Sequence, residues 1–78
     1  MALNRAVALA EVEGPRAALA LVDGLELGDF HLFHAIRAEL LRRLGRDDEA
    51  ARAYDEAIAR GGNAAEREFL RRSRATLD

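Results

Sequence analysis

The sequence contains no cysteine, no tryptophan and no lysine, and only one proline. Without cysteine there is neither a disulfide framework nor a thiolate metal site, which suits a reducing compartment and makes the cytoplasm the expected location. Aromatic residues make up 5% of the chain, three Phe and one Tyr. Alanine and leucine dominate the apolar half instead, and such small and aliphatic side chains favour close helix packing over strands, so the expected fold class is all-α. The absence of lysine leaves all 12 basic residues as arginine. This bias is read first as the codon composition of a GC-rich genome and second as selection for bidentate contacts. A net charge of −2 with both signs interspersed excludes the phosphate attraction expected of a free-standing DNA-binding domain. No apolar run approaches the roughly 20 residues of a membrane span. Asn4, Arg5, Glu11 and Glu13 also interrupt the stretch that a signal peptide would need uninterrupted. At 78 residues the chain is one domain with a small core.

What the chain does contain is helical periodicity with clear punctuation. From Ala2 to Val12, Leu3, Ala6, Val7, Leu9 and Ala10 form an apolar stripe three to four residues apart, with Arg5 and Glu11 off it. Gly14-Pro15 breaks this helix and starts another, because proline is well tolerated in a first helical turn. The second helix runs from about Pro15 to Gly24 with Ala18, Leu21, Val22 and Leu25 inward. A link over Leu25 to Gly28 follows, and Asp29 is placed to cap a third helix through its carboxylate.

That third helix carries Phe30, Phe33, Ile36 or Arg37, Leu40, Leu41 and Leu44 at helical spacing and stops at Gly45, where a left-handed cap is wanted. Asp47, Asp48 and Glu49 open a fourth helix, with Ala50, Ala53, Tyr54, Ala57 and Ile58 inward, which closes at Gly61-Gly62. Two helices joined so tightly fold back on each other. Asn63-Ala-Ala-Glu66 is a capping-box pattern at the start of a fifth helix. There Phe69, Leu70 and Leu77 are expected inward while Glu66, Arg67, Glu68, Arg71, Arg72 and Arg74 stay wet, as in a lid over the end of a helical stack.

Ala38, Gly45 at the turn, then Ala50, Tyr54 and Ala57 resemble the tetratricopeptide (TPR) repeat, which sets small residues where its two helices cross and an aromatic on the second. With His31 as the first position, His31 to Ala64 fills one repeat unit. Arg37 stands where the repeat usually has leucine, His34 where it often has tryptophan, and Gly62 where it has proline. Ala18, Val22 and Leu25 echo Ala50, Tyr54 and Ala57, so residues 3–25 read as a degenerate, shortened first repeat. The resemblance implies TPR-like antiparallel helical hairpins in about five helices: one degenerate repeat, one good repeat and one capping helix. About three repeats are the usual minimum for an independent solenoid. A stack of about one and a half repeats plus a cap is expected to dimerise or to pack on something larger.

Few residues offer chemistry. His31 and His34 are three apart on one helix, near Asp29 and Glu39, but a metal site needs a third placed ligand and an orienting shell. The expected arrangement is one histidine in the repeat's aromatic slot and the other exposed, with no metal and no cofactor. Ser73 and Thr76 lack a neighbouring histidine, and no phosphate loop or glycine-rich nucleotide fingerprint is present. Asp47, Asp48 and Glu49 complement the helix dipole, and Glu39–Arg43, Asp48–Arg52 and Glu56–Arg60 are spaced as surface ion pairs. An enzymatic role is not expected.

A protein-binding role is better supplied. In the TPR-like register Leu32, Ala35, Glu39, Arg42 and Arg43 face the groove of the repeat, and Arg71 and Arg72, with Arg74, add a second basic cluster. Ile36 and Glu39 occupy positions where asparagine is typical of repeats that clamp a terminal carboxylate, so a chaperone-tail receptor is disfavoured. Against any binding role stands the plainer reading of these arginines as a solvated face with structural ion pairs.

The opening LNRAVA, the EGP break, HAIRAELLRRLGR and the closing NAAEREFL together resemble the carboxy-terminal extension of one group of bacterial extracytoplasmic-function (ECF-type) RNA polymerase sigma factors. The similarity covers essentially all 78 residues. It implies that residues 1–78 are a single TPR-like domain from the C-terminal part of a larger sigma factor. The partners implied are sigma domains 2 and 4 and the RNA polymerase core, with no direct DNA binding by this stretch, no membrane, and a homodimer as a further option. The alternative is a stand-alone TPR-like adaptor that binds a peptide or dimerises.

Overall fold

The computed structural model describes residues 2–25, 28 and 30–77, with side chains from residue 5 onward. Five helices follow in order, α1 (Ala2–Glu13), α2 (Pro15–Asp23), α3 (His31–Arg43), α4 (Asp47–Arg60) and α5 (Ala64–Ala75), with no strand among the described residues. The fold is all-α, as the composition indicates. The proposed carboxylate cap at Asp29 and the stripe position of Leu3 lie outside the described residues and side chains.

The packing is that of antiparallel hairpins set side by side. α1 lies on α2 and α3 on α4, α2 joins the two pairs by packing on α3, and α5 packs on α4. A shorter contact runs between α1 and α3. The α3–α4 hairpin is the firmest unit, and its sequence explains why. Ala38, Ala50 and Ala57 are 0% exposed and Ala53 3%, so the two backbones approach closely, and Tyr54 at 1% and Leu41 at 0% fill the space beside them. The hairpin turn is set by Gly45, whose φ of 75° is the left-handed cap conformation. Around it the Arg46 N–H donates to the Leu41 carbonyl (2.9 Å) and the Gly45 N–H to the Arg42 carbonyl (3.0 Å). These two bonds make the Schellman closure that satisfies otherwise orphaned carbonyls.

The α1–α2 joint is tighter still. Pro15 sits in the first turn of α2, while the Gly14 N–H still reaches the Ala10 carbonyl at 3.1 Å, so Gly14 is the single residue between the two helices. Ala6, Ala10, Ala18, Leu19 and Val22 bring this pair into the common core. Leu19 was not among the expected inward positions of α2, whereas Leu21 and Leu25 are only partly buried. On α1, Val7 is 47% exposed although it falls on the apolar stripe, because α1 is covered on the α2 side and touches α3 over a short length only.

At the start of α5 the Glu66 N–H donates to Asn63 Oδ1 at 2.8 Å, the expected first half of the capping box. The Glu66 carboxylate departs from the box: one oxygen accepts from Asn63 Nδ2 at 3.1 Å and the other lies 3.1 Å from His31 Nε2 on α3. Gly62 precedes them with φ 87°. Proline, locked near −65°, could not adopt that angle, which gives the departure from the repeat pattern at this position a backbone reason. A Cβ on Gly62 would also fall 2.8 Å from Glu66 Oε2. Of the residues expected inward on α5, Leu70 is buried and Leu77 partly so, but Phe69 is 67% exposed. Adjacent helical positions point about 100° apart, and α5 presents Leu70 to the rest of the molecule.

Candidate functional site

Phe69 is exposed because it stands on the wall of an open groove of about 590 Å³ between α3, α4 and α5. Ala35, Ile36, Glu39 and Arg42 line it from α3, Tyr54 from α4, and Phe69, Leu70, Arg72 and Ser73 from α5, with Thr76 just beyond that helix. Ala35 and Phe69, Ile36 and Leu70, Glu39 and Ser73, and Arg42 and Thr76 are each 34 residues apart, the length of a TPR unit. α5 therefore stands where the first helix of a following repeat would stand, and the groove is the seam between two such helices. The same register puts Arg72, 78% exposed, at the position of the fully buried Ala38. A position that α3 closes against its partner is left charged and wet on α5, as suits a terminal cap.

The polar centre of the groove is Glu39. Arg42 donates to it through both Nε (3.0 Å) and an Nη, and Tyr54 Oη donates to the same carboxylate at 3.4 Å. Its hydrogen bonds to Glu39, then the Glu39 charge, hold the Arg42 guanidinium above its ordinary pKa. Burial pushes the Tyr54 phenol up as well, and the Glu39 charge adds to that, against an opposing pull from Arg42. Here the structure corrects the expected Glu39–Arg43 pair: the carboxylate bonds Arg42, which lies on the Tyr54 side. Glu56 and Arg60 do pair, at 3.1 Å.

The residues expected to bind a partner are thus divided. Ala35, Glu39, Arg42 and Arg72 come together in this groove. Arg43 lines a smaller neighbouring cavity of about 200 Å³ with Val7, Ala10, Glu11, Ile36, Glu39 and Leu40, so Ile36 and Glu39 form the ridge between the two. Leu32, 40% exposed, and Arg71, 4.0 Å from a Glu68 carboxylate oxygen, line neither. Ile36, Tyr54, Phe69, Leu70, Ser73 and Thr76 are groove residues outside the expected set, although carrying the repeat length past Ala64 marks Phe69, Ser73 and Thr76.

The two histidines are both half-buried and both engaged. His31 meets Glu66 as described, while His34 Nε2 donates to the Gly28 carbonyl at 2.7 Å and its ring lies edge-on to Phe33. The expected division into one packed and one exposed histidine is not what the chain adopts. Among the described residues no group of three or more His, Asp or Glu side chains is placed to hold a metal ion, and no helix is long and apolar enough to cross a membrane.

No protein-family profile and no solved structure matches the chain. The chain is 48% identical over 71 residues to the uncharacterized protein R00370 of Rhizobium meliloti (strain 1021). The match takes in 88% of this chain and 17% of that protein, so the chain spans about a sixth of the length of the relative it matches.

Proposed function

We propose that this helical domain is a non-catalytic regulatory module of an ECF-type sigma factor, which acts by contact with the sigma domains or with RNA polymerase core during transcription initiation. The observation that carries the proposal is the resemblance of LNRAVA, EGP, HAIRAELLRRLGR and NAAEREFL to the extension of that family. Two further observations support it. The relative holds a matching stretch within a much longer chain, and a short repeat stack with an apolar, arginine-rimmed groove is suited to packing against another domain. Glu39, Arg42, Phe69 and Arg72 are the contact residues assigned to this role.

The test is reconstituted transcription with polymerase core and the longer protein that carries this stretch, with and without residues 1–78. Altered promoter activity or regulation on deletion is the expected result; unchanged initiation and unchanged regulation would refute the proposal. The exposed Phe69 favours one second reading, a stand-alone adaptor that takes a peptide or a second copy. An antibody against this domain separates the two on a blot of source-cell lysate. A band well above 8.6 kDa fits a module of a larger protein, and a band at that mass fits the adaptor.

A further inference from the structure

α5 is attached differently from the other helices. It follows two consecutive glycines at positive φ, Gly61 at 139° and Gly62 at 87°, neither with a side chain of its own to restrict rotation, and Arg67 Nη1 donates to the Gly62 carbonyl at 3.2 Å. Among its residues only Leu70 is buried, whereas α3 and α4 bury four residues each. Leu77, just beyond the helix, adds a partly buried contact.

Two polar links hold the helix at its ends. Near the glycines His31 Nε2 meets Glu66 Oε2 at 3.1 Å, with the side chains 26% and 50% exposed. Toward the far end Arg74 donates to both oxygens of Asp55 on α4, at 2.7 and 3.3 Å, with exposures of 46% and 57%. Links this wet are individually weak.

We propose that α5 is a hinged cap, which lifts from α4 as a unit about Gly61-Gly62 while α1 to α4 stay folded, and which the His31–Glu66 and Asp55–Arg74 links latch shut. Because Phe69, Leu70, Arg72 and Ser73 belong to α5, opening dismantles the groove, and anything bound in the groove holds α5 closed. The hinge stands without the sigma-factor reading. Only the consequence for polymerase or sigma contact rests on it.

Amide hydrogen exchange on the intact chain tests the hinge without any partner. α5 amides from Leu70 to Ser73 are expected to show protection at least about tenfold lower than Leu41 on α3 and Ala53 on α4. Arg74→Ala is expected to speed α5 exchange by up to about fivefold, and Leu70→Ala by more, with α3 and α4 unchanged in both. Should Leu70→Ala fail to fold, Arg74→Ala and the wild-type ratio carry the test. Equal protection across α3, α4 and α5 would overturn the proposal, as would a common factor of change in all three helices. Unchanged α5 exchange in the folded variants would overturn it too.

Discussion

Tyr54 is the side chain on which the α3–α4 hairpin most depends, and Tyr54→Ala measures that dependence. The ring is 1% exposed and packs at the crossing of two helices beside Ala38, Ala50, Ala53 and Ala57, whose methyl groups cannot extend into the space it would leave, while Leu41, 0% exposed, is already held in its own place. Truncating a buried aromatic costs about 3–5 kcal/mol. The lower end, about 3 kcal/mol, is expected here because Tyr54 also lines the groove, from which water can enter the vacated volume. A chain of this size has a total stability on the order of 4–12 kcal/mol, so the loss is a quarter or more of the whole. Tyr54→Phe separates packing from the hydroxyl: Glu39 keeps both bonds from Arg42, and losing a 3.4 Å contact should cost less than about 1 kcal/mol. Urea titration followed by far-ultraviolet circular dichroism gives both values. A Tyr54→Ala cost below about 1 kcal/mol, or a Tyr54→Phe cost equal to that of Tyr54→Ala, would refute the packing argument and the hairpin register with it.

Gly45→Ala places a Cβ where nothing lies within 4 Å but the backbone stays at φ 75°; the strain alone should lower stability by about 1 kcal/mol, seen as a lower thermal midpoint with an unchanged helical spectrum. Asn63→Ala removes the acceptor for the Glu66 N–H and should cost about 1 kcal/mol; the same urea titration checks it, with faster amide exchange confined to the first turn of α5. The alkaline limb of stability should belong to Tyr54, since the chain has no lysine or cysteine and no second tyrosine. Burial raises the folded phenol above its ordinary 10.0, so the unfolded chain ionises first. Stability is whole below about pH 10 and falls as pH rises toward the folded value. Urea midpoints between pH 8 and 11 should show that fall in the wild type and not in Tyr54→Phe.

Element boundaries were legible because their signals are local. Gly45, Gly14-Pro15, the Asp47-Asp48-Glu49 start and Asn63 each act on the backbone within one turn, and each marks a helix end in the structure. Which apolar residue on a stripe faces the core was less legible, because that is decided by the neighbouring helix. Phe69 and Leu70 compete for one contact, and on α2 Leu19 is in the core while Leu21 is only partly buried. Likewise Glu39 could pair at either spacing along α3, and the position of Tyr54 across the hairpin favours Arg42. The groove was half legible. Its α3 side follows from the repeat register, while its α5 side required the last helix to be treated as repeating the third.

The burial of the only tyrosine in a chain without tryptophan has an optical consequence. Above 270 nm the absorbance and emission of this protein arise almost entirely from one ring, at the seam of α3 and α4 and beside the wall that α5 supplies. The molecule carries its own label at the place where repeat and cap meet. A change in that single chromophore without loss of helical signal would show the cap moving while the repeat beneath it holds.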